Sequence, residues 1–263
     1  MHPILIEIGR FKIYSYGFML ALSFWIGILW AARRAPKHGV SADAIYDLSI
    51  VLIVASVIGS RTLYILTHRA DYRSVVDIVA LWQGGATFYG GFVLALAGAL
   101  AFLRRKRISF LRVADVCSPS IALGFALARI GCFLSGCCFG QPTNSMLGVV
   151  FPAHSPAGYL RPGVPLQPTQ LYSSFLGLVI ALVLVLVDRR SRFNGYTFAF
   201  LCMCYGVARF IEDLLRYYEP SSRFGAHLTV SQAMSIGLVA AGVILMVALR
   251  SKRRGENRAA NAR

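Results

Sequence analysis

Four apolar stretches of this chain each end in a knot of basic residues: Arg33, Arg34 and Lys37; Arg104 to Arg107; Arg189, Arg190 and Arg192; and Arg250 to Arg254. Lys- and Arg-rich flanks of membrane spans are retained on the cytoplasmic side, so this polarity marks a polytopic membrane protein and also orients it. Apolar runs of about 17 to 25 residues cross the hydrocarbon layer as helices. Seven are expected, at 14–32, 47–67, 86–103, 114–138, 169–187, 195–217 and 230–249. The connections 33–46, 104–113, 188–194 and 250–263 hold 17 of the 27 Lys and Arg, and those on the opposite side hold 6. The N-terminus is therefore expected outside and the C-terminus in the cytoplasm. The fold class expected is all-α, a single transmembrane domain of seven helices over 1–263 with a basic tail, 250–263, that frays into the cytosol.

Composition excludes other classes. A mean hydropathy of +0.62 and 57% hydrophobic residues are too apolar for an ordinary soluble domain. The formal charge of +16 would point to nucleic acid in a soluble chain. Here the cations stand at span ends, where anionic lipid headgroups meet them, and no nucleic-acid partner is expected. The first apolar run is long, lacks an A-x-A-like cleavage site and is followed by Arg33 and Arg34, so it reads as a retained span rather than a signal peptide. Cys117, Cys132, Cys137, Cys138, Cys202 and Cys204 fall in spans or at their edges without a second C-x-x-C cluster, and read as small polarizable packing residues. Adjacent Cys137 and Cys138 also suit redox chemistry, although adjacency disfavours a bridge between them.

Functional residues announce themselves by being expensive in lipid. Arg61, Arg129 and Arg209 lie in apolar segments, each costing about 2.5 to 3.5 kcal/mol near the bilayer centre. One such arginine can snorkel or pair with a carboxylate such as Asp115 or Asp213; three in the outer halves of spans point to a polar cavity that receives an anion. Guanidinium groups hold phosphate in bidentate fashion. Spacing places Arg209, Asp213 and Arg216 on one face of a continuous helix, where the carboxylate holds an arginine in place. Gly84-Gly85 and Gly90-Gly91 bracket Ala86 to Tyr89 at a helix start. That pattern suits either close ligand approach or tight helix packing through small residues. Arg129 to Gly140 combines a charge, three glycines and thiols. The connection 139–168 is too rich in Pro and Gly for a regular helix, and Thr169 is a candidate N-cap for the next span.

In order along the chain, Tyr16-Gly17, Gly59-Ser60-Arg61, Trp82 to Gly91, Ala114-Asp115, Arg129 to Gly140, Pro168 to Tyr172, Tyr205-Gly206 with Arg209 to Arg216, and Leu228-Thr229 with Gln232 resemble the prolipoprotein diacylglyceryl transferase family. The resemblance implies a transferase of the bacterial cytoplasmic membrane with its active site toward the outer leaflet. It moves the diacylglyceryl group of phosphatidylglycerol to the lipobox cysteine in the signal peptide of a lipoprotein precursor and releases glycerol phosphate. By the same resemblance Arg129 binds the lipid phosphate and Arg209 supports the leaving group. Tyr89, Tyr205 and Asp213 join Arg209 as catalytic candidates, and Arg61, Tyr16, Gly90, Gly91 and Gly140 join Arg129 as binding candidates. No metal or cofactor is called for, and membrane lipids and precursor signal peptides are the expected partners.

The chain departs from the family pattern in its proton-handling residues. Tyr89 stands where the family has a histidine, Cys132 where an asparagine is usual, Gln167 where a histidine often precedes Pro168, Ser173 where an acidic residue is preferred, and Asp213 where glutamate is preferred. A phenol is a poorer base at neutral pH than an imidazole. Competing readings of the same residues are a lipid or anion transporter with the three arginines along its pathway, a non-catalytic lipid-binding or scaffold protein, and a thiol-disulfide oxidoreductase using Cys137 and Cys138.

Overall fold

A computed structural model of the chain describes residues 3–8, 11–68, 87–218, 223–224 and 228–261. The described elements begin with a hairpin, β1 (Ile4–Ile8) and β2 (Phe11–Tyr14), in which Glu7 faces Lys12 and pairs with it at 2.9 Å. Helices follow: α1 (Ser15–Arg34), a short 3₁₀ turn (Ala35–His38), α2 (Ala42–Thr67), α3 (Phe88–Lys106), α4 (Phe110–Ser135), the five-residue α5 (Pro156–Leu160), α6 (Thr169–Asp188), α7 (Tyr196–Leu215) and α8 (Val230–Asn261). Between α7 and α8 lies a minimal antiparallel pair, β3 (Arg223–Phe224) and β4 (Leu228–Thr229).

The helical segments α1 with its 3₁₀ turn, α2, α3, α4, α6 and the first part of α8 are six helices long and apolar enough to cross a membrane. They leave large apolar side chains exposed, among them Trp25, Ile50, Val93, Phe175 and Ile244, as a lipid-facing surface does and a water-facing one does not. The seventh expected span, 195–217, coincides with α7, which has the length but carries Arg209, Glu212 and Asp213 in its last two turns. Two expectations are corrected. The span drawn over 114–138 stops at Ser135, because Gly136 takes φ 69° and Cys138 φ 62°, so Cys137 and Cys138 lie in the following loop. The tail does not fray at 250: α8 continues through Asn261, consistent with its Ala, Arg, Lys and Glu content, all good helix formers.

The chain divides into two compact units. In the unit Ala31–Val113, α2 and α3 pack with their backbones in contact. A Cβ on Gly59 would stand 2.3 Å from the Gly90 carbonyl oxygen and one on Gly90 2.3 Å from that of Gly59, so glycine at both positions permits the approach. Thr87 secures the start of α3 by donating its N–H and its hydroxyl, each at 3.1 Å, to the Ser60 carbonyl.

The other unit comprises Met1–Trp30 and Ala114–Arg263. Its core forms where α4, α6 and α7 meet, around Ala122, Ile180, Ala181, Leu184, Leu201 and Ala208. The Asp115 carboxylate, buried in α4, accepts hydrogen bonds from the N–H groups of Gly195 and Phe198 at 2.6 and 2.8 Å and so caps the N-terminus of α7. Gly206 and Gly242 let α7 and α8 lie close, since a Cβ on either would meet atoms of the other helix at under 3 Å. The connection 139–168 is irregular apart from α5, as its Pro and Gly content requires, and folds over a small core of Phe139, Phe151, Ala157 and Leu166.

Candidate functional site

At the C-terminal end of α7 an ion cluster is assembled from sequence-local and distant groups. Arg209, with 14% of its side chain exposed, meets Glu212 at 3.5 Å and Asp213 at 3.4 Å, one turn along the helix. It also donates to the Tyr218 hydroxyl at 2.9 Å. Tyr218 and Thr229 in turn both donate short hydrogen bonds to the Asp213 carboxylate. Thr229 is fixed by a reciprocal cap at the start of α8: its hydroxyl accepts from Gln232 N–H at 3.1 Å while Gln232 Oε1 accepts from Thr229 N–H at 3.0 Å. Asp213 is thus engaged on both oxygens and held in place by α8. It acts on Arg209 as the sequence reading anticipates.

Arg216 is a correction. It was expected on the helical face of Arg209 and Asp213, but α7 ends at Leu215 and Arg216 adopts an extended backbone. The cause lies in the loop at 139–141: Gly140 bridges to Arg216, Gln141 N–H donates to the Leu215 carbonyl at 2.9 Å, and Tyr217 N–H donates to that of Phe139 at 3.2 Å. Arg216 still reaches the cluster, because its guanidinium lies over the Tyr218 ring at 5.4 Å. A cavity of about 480 Å³ opens beside these groups, lined by Gln141, Asp213, Arg216, Tyr218, Thr229 and Gln232 among others.

Arg129, half-buried on α4, is set differently. Its guanidinium lies 4.8 Å from the centre of the Phe125 ring, and Phe125 packs edge-on against Tyr205 at 5.1 Å. Among the described residues no carboxylate pairs with it. Tyr205, half-buried on α7, is within electrostatic reach of Arg129, Arg209 and Arg216. Tyr16, near the start of α1, is within reach of Arg129. Gly131 makes that approach possible, since a Cβ there would stand 3.3 Å from Tyr16 Cα. Gly140 is buried where a Cβ would meet Gln167 and Thr169 at 2.7 to 2.8 Å, so its role in the loop is steric.

Arg129, Tyr205, Arg209, Asp213, Tyr16 and Gly140 therefore share one unit. Arg61, Tyr89, Gly90 and Gly91 belong to the other. There Arg61 is buried on α2, Gly90 and Gly91 serve the α2–α3 contact, and Tyr89 on the first turn of α3 is 65% exposed. Trp82, Gln83, Gly84, Gly85 and Ala86 of the expected glycine-bracketed segment lie outside the described residues.

Sequence reasoning passed over Glu212 and Tyr218 as contributors. Glu212 stands at the legible i,i+3 spacing from Arg209, Tyr218 carries no local pattern that ties it to Arg209, and Thr229-Val-Ser-Gln232 is a legible capping box. Thr169, expected to cap α6, is instead its first helical residue and donates its hydroxyl to the Cys138 carbonyl at 2.9 Å. Gln170, fully buried, donates to the Cys137 carbonyl at 2.6 Å. Together they hold the loop that leaves α4.

A family model described as prolipoprotein diacylglyceryl transferase matches residues 3–248. The phosphatidylglycerol–prolipoprotein diacylglyceryl transferase of Clostridium tetani is 32% identical over 248 residues, covering 93% of this chain and 96% of that protein. The second such transferase of Clostridium perfringens is 32% identical over 250 residues, covering 93% and 94%. That of Geobacter sulfurreducens is 29% identical over 261 residues, covering 96% and 97%.

Proposed function

The chain belongs to the prolipoprotein diacylglyceryl transferase family, and we propose from that membership and the groups around Tyr205 how it moves a diacylglyceryl group from phosphatidylglycerol to the lipobox cysteine of a lipoprotein precursor. It is a transferase, and the step it performs is the first of lipoprotein maturation. The precursor thiol loses its proton and its sulfur attacks the glyceryl carbon. The carbon–oxygen bond to phosphate breaks, and glycerol phosphate leaves with the negative charge.

The observation that carries the reading is that Tyr205 stands one helical turn before Arg209 on α7 and packs at 5.1 Å against the Phe125 ring on which Arg129 lies at 4.8 Å. An anion beside this phenol meets two guanidinium groups at once, which is what a phosphodiester becoming a phosphate monoester requires. Arg129, with no carboxylate partner among the described residues, receives the lipid phosphate. Arg209 takes up the charge that develops as the glycerol phosphate departs, and Asp213 positions it. Tyr205 donates to the same oxygens, and Tyr16 borders the pocket beside Arg129. Arg61 is assigned a further anion-holding role, and Gly90 and Gly91 a supporting one, from their place in the family pattern. Tyr89 is assigned the thiol proton on the same ground. Seven spans in one membrane domain, with the N-terminus outside, the C-terminus cytoplasmic and the site toward the outer leaflet of the inner membrane, complete the reading, which the distribution of basic residues supports.

The test is lipidation of a lipobox signal peptide by the purified protein in phosphatidylglycerol vesicles, followed by mass. A gain of one diacylglyceryl group that Arg129→Ala abolishes supports the assignment, and no gain with any phosphatidylglycerol overturns it. The proton acceptor is tested by Tyr89→His. An imidazole is the better base near neutrality, so lipidation at pH 7 is expected to rise several-fold. An unchanged rate removes Tyr89 from the mechanism.

A further inference from the structure

Where α4 ends, three thiols gather without forming a disulfide. The sulfur atoms of Cys132, Cys137 and Cys138 all lie within 4.8 Å of one another, Cys132 buried and the other two half-buried. The loop is bent to bring them there: Gly136 and Cys138 both adopt left-handed backbone, at φ 69° and 62°. A non-glycine residue in that region is uncommon and is kept only where its surroundings enforce it. The enforcement is visible in Thr169 and Gln170, which hold the carbonyls of Cys138 and Cys137 at 2.9 and 2.6 Å. The other end of the Gln170 carboxamide, Oε1, is buried and has no hydrogen-bond partner among the described residues.

We propose that Cys132, Cys137 and Cys138 form a binding site for one thiophilic d¹⁰ cation, Cu(I) in preference to Zn²⁺. Metal–sulfur bonds of about 2.3 Å set three sulfurs roughly 4 Å apart, so closing onto the ion needs a contraction of under about 1 Å. Soft thiolates select Cu(I) and Zn²⁺ over harder cations, and a three-thiolate set without imidazole or carboxylate suits Cu(I), whereas Zn²⁺ prefers four ligands. Among the described residues no His, Asp or Glu joins the group. Such a centre is anionic, and its charge is met by cations already in place. Arg129 stands one helical turn before Cys132 on α4, and Arg216 is bridged to Gly140, two residues beyond Cys138. The thiols release their protons on binding. The proposal does not depend on the transfer reaction.

The test uses the full-length protein, reduced and in detergent. It is titrated in separate arms with Cu(I) against a chromophoric Cu(I) chelator and with Zn²⁺ against a zinc indicator. One equivalent of Cu(I) is expected to be withheld, with Zn²⁺ held at least tenfold more weakly. Cys137→Ser is expected to abolish retention, and Cys202→Ser to leave it unchanged. Equal thermal stability of metal-free wild type and Cys137→Ser shows that the loss is one of ligation; if the metal-free variant is less stable, Cys138→Ser supplies the same comparison. No retained equivalent, retention that survives both substitutions, or conversion of the trio to a disulfide on purification, seen as a loss of two hydrogens in the intact mass, overturns the proposal.

Discussion

Two arginines of one unit meet the cost of burial in opposite ways. Arg209 on α7 is compensated twice over, by Glu212 and Asp213, and its second carboxylate is itself secured by Tyr218 and by Thr229 at the head of α8. Arg129 on α4 has an aromatic face beneath it and no carboxylate among the described residues. A compensated cation is held rigidly in place and does not capture an anion in the ground state, which leaves it to meet charge only as that charge develops. An uncompensated one is an unmet charge, most favourably satisfied by a ligand. The α7 end is therefore built to hold a geometry and the α4 end to capture a phosphate, although both look alike as a lone Arg in an apolar run.

The comparison predicts opposite effects on stability. Arg209→Ala leaves two buried carboxylates without the cation that both contact, and removing one partner of a buried ion pair costs on the order of 3 to 5 kcal/mol. A large fall in melting temperature in detergent is expected, with partial recovery in Arg209→Ala/Asp213→Asn. A melting temperature within error of wild type for the single variant would break the distinction. Arg129→Ala removes a charge with no carboxylate partner among the described residues, so stability is expected to hold or rise while lipidation falls about 10²- to 10³-fold, the scale of losing one preorganised donor to a developing anion. Arg129→Lys keeps the charge but not the bidentate fork and is expected to fall between, near tenfold. Loss of stability in Arg129→Ala equal to that in Arg209→Ala would make the two sites the same kind of object.

Much of this was legible in the chain. Helix positions follow from apolar length and basic flanks, and the Arg209–Asp213 pairing follows from their spacing of four. The hairpin of Ile4–Ile8 and Phe11–Tyr14 has a fainter signature, since two strand-forming runs of five and four residues separated by two carry little pattern beside apolar runs of span length. What local pattern cannot supply is pairing across long sequence distance. The helix carrying Arg209 stops before Arg216 because residues 139–141, some 75 positions earlier, take up its last backbone groups. Tyr218 enters the cluster only through that break. The thiols show the same limit, since Cys132 and Cys137 are near in sequence but Thr169 and Gln170 decide where the loop points.

The smallest effect is the sharpest probe of what prepares Arg129. Phe125 carries no polar group; it offers a ring under the guanidinium at 4.8 Å and an edge toward Tyr205 at 5.1 Å. A cation over an aromatic face gains about 0.5 to 1 kcal/mol at accessible sites, which corresponds to a roughly two- to fivefold change in an equilibrium. In Phe125→Leu the apolar volume is largely kept and the stacking surface is lost. If the ring holds Arg129 ready for phosphate, KM for phosphatidylglycerol is expected to rise by that factor with kcat little changed, because ground-state and departing phosphate lose the same orientation. A fall in kcat at constant KM places the ring's influence on Tyr205 instead. The division of labour between a capturing arginine on α4 and a positioned one on α7 then shifts toward α7, where the charge of the leaving group is met.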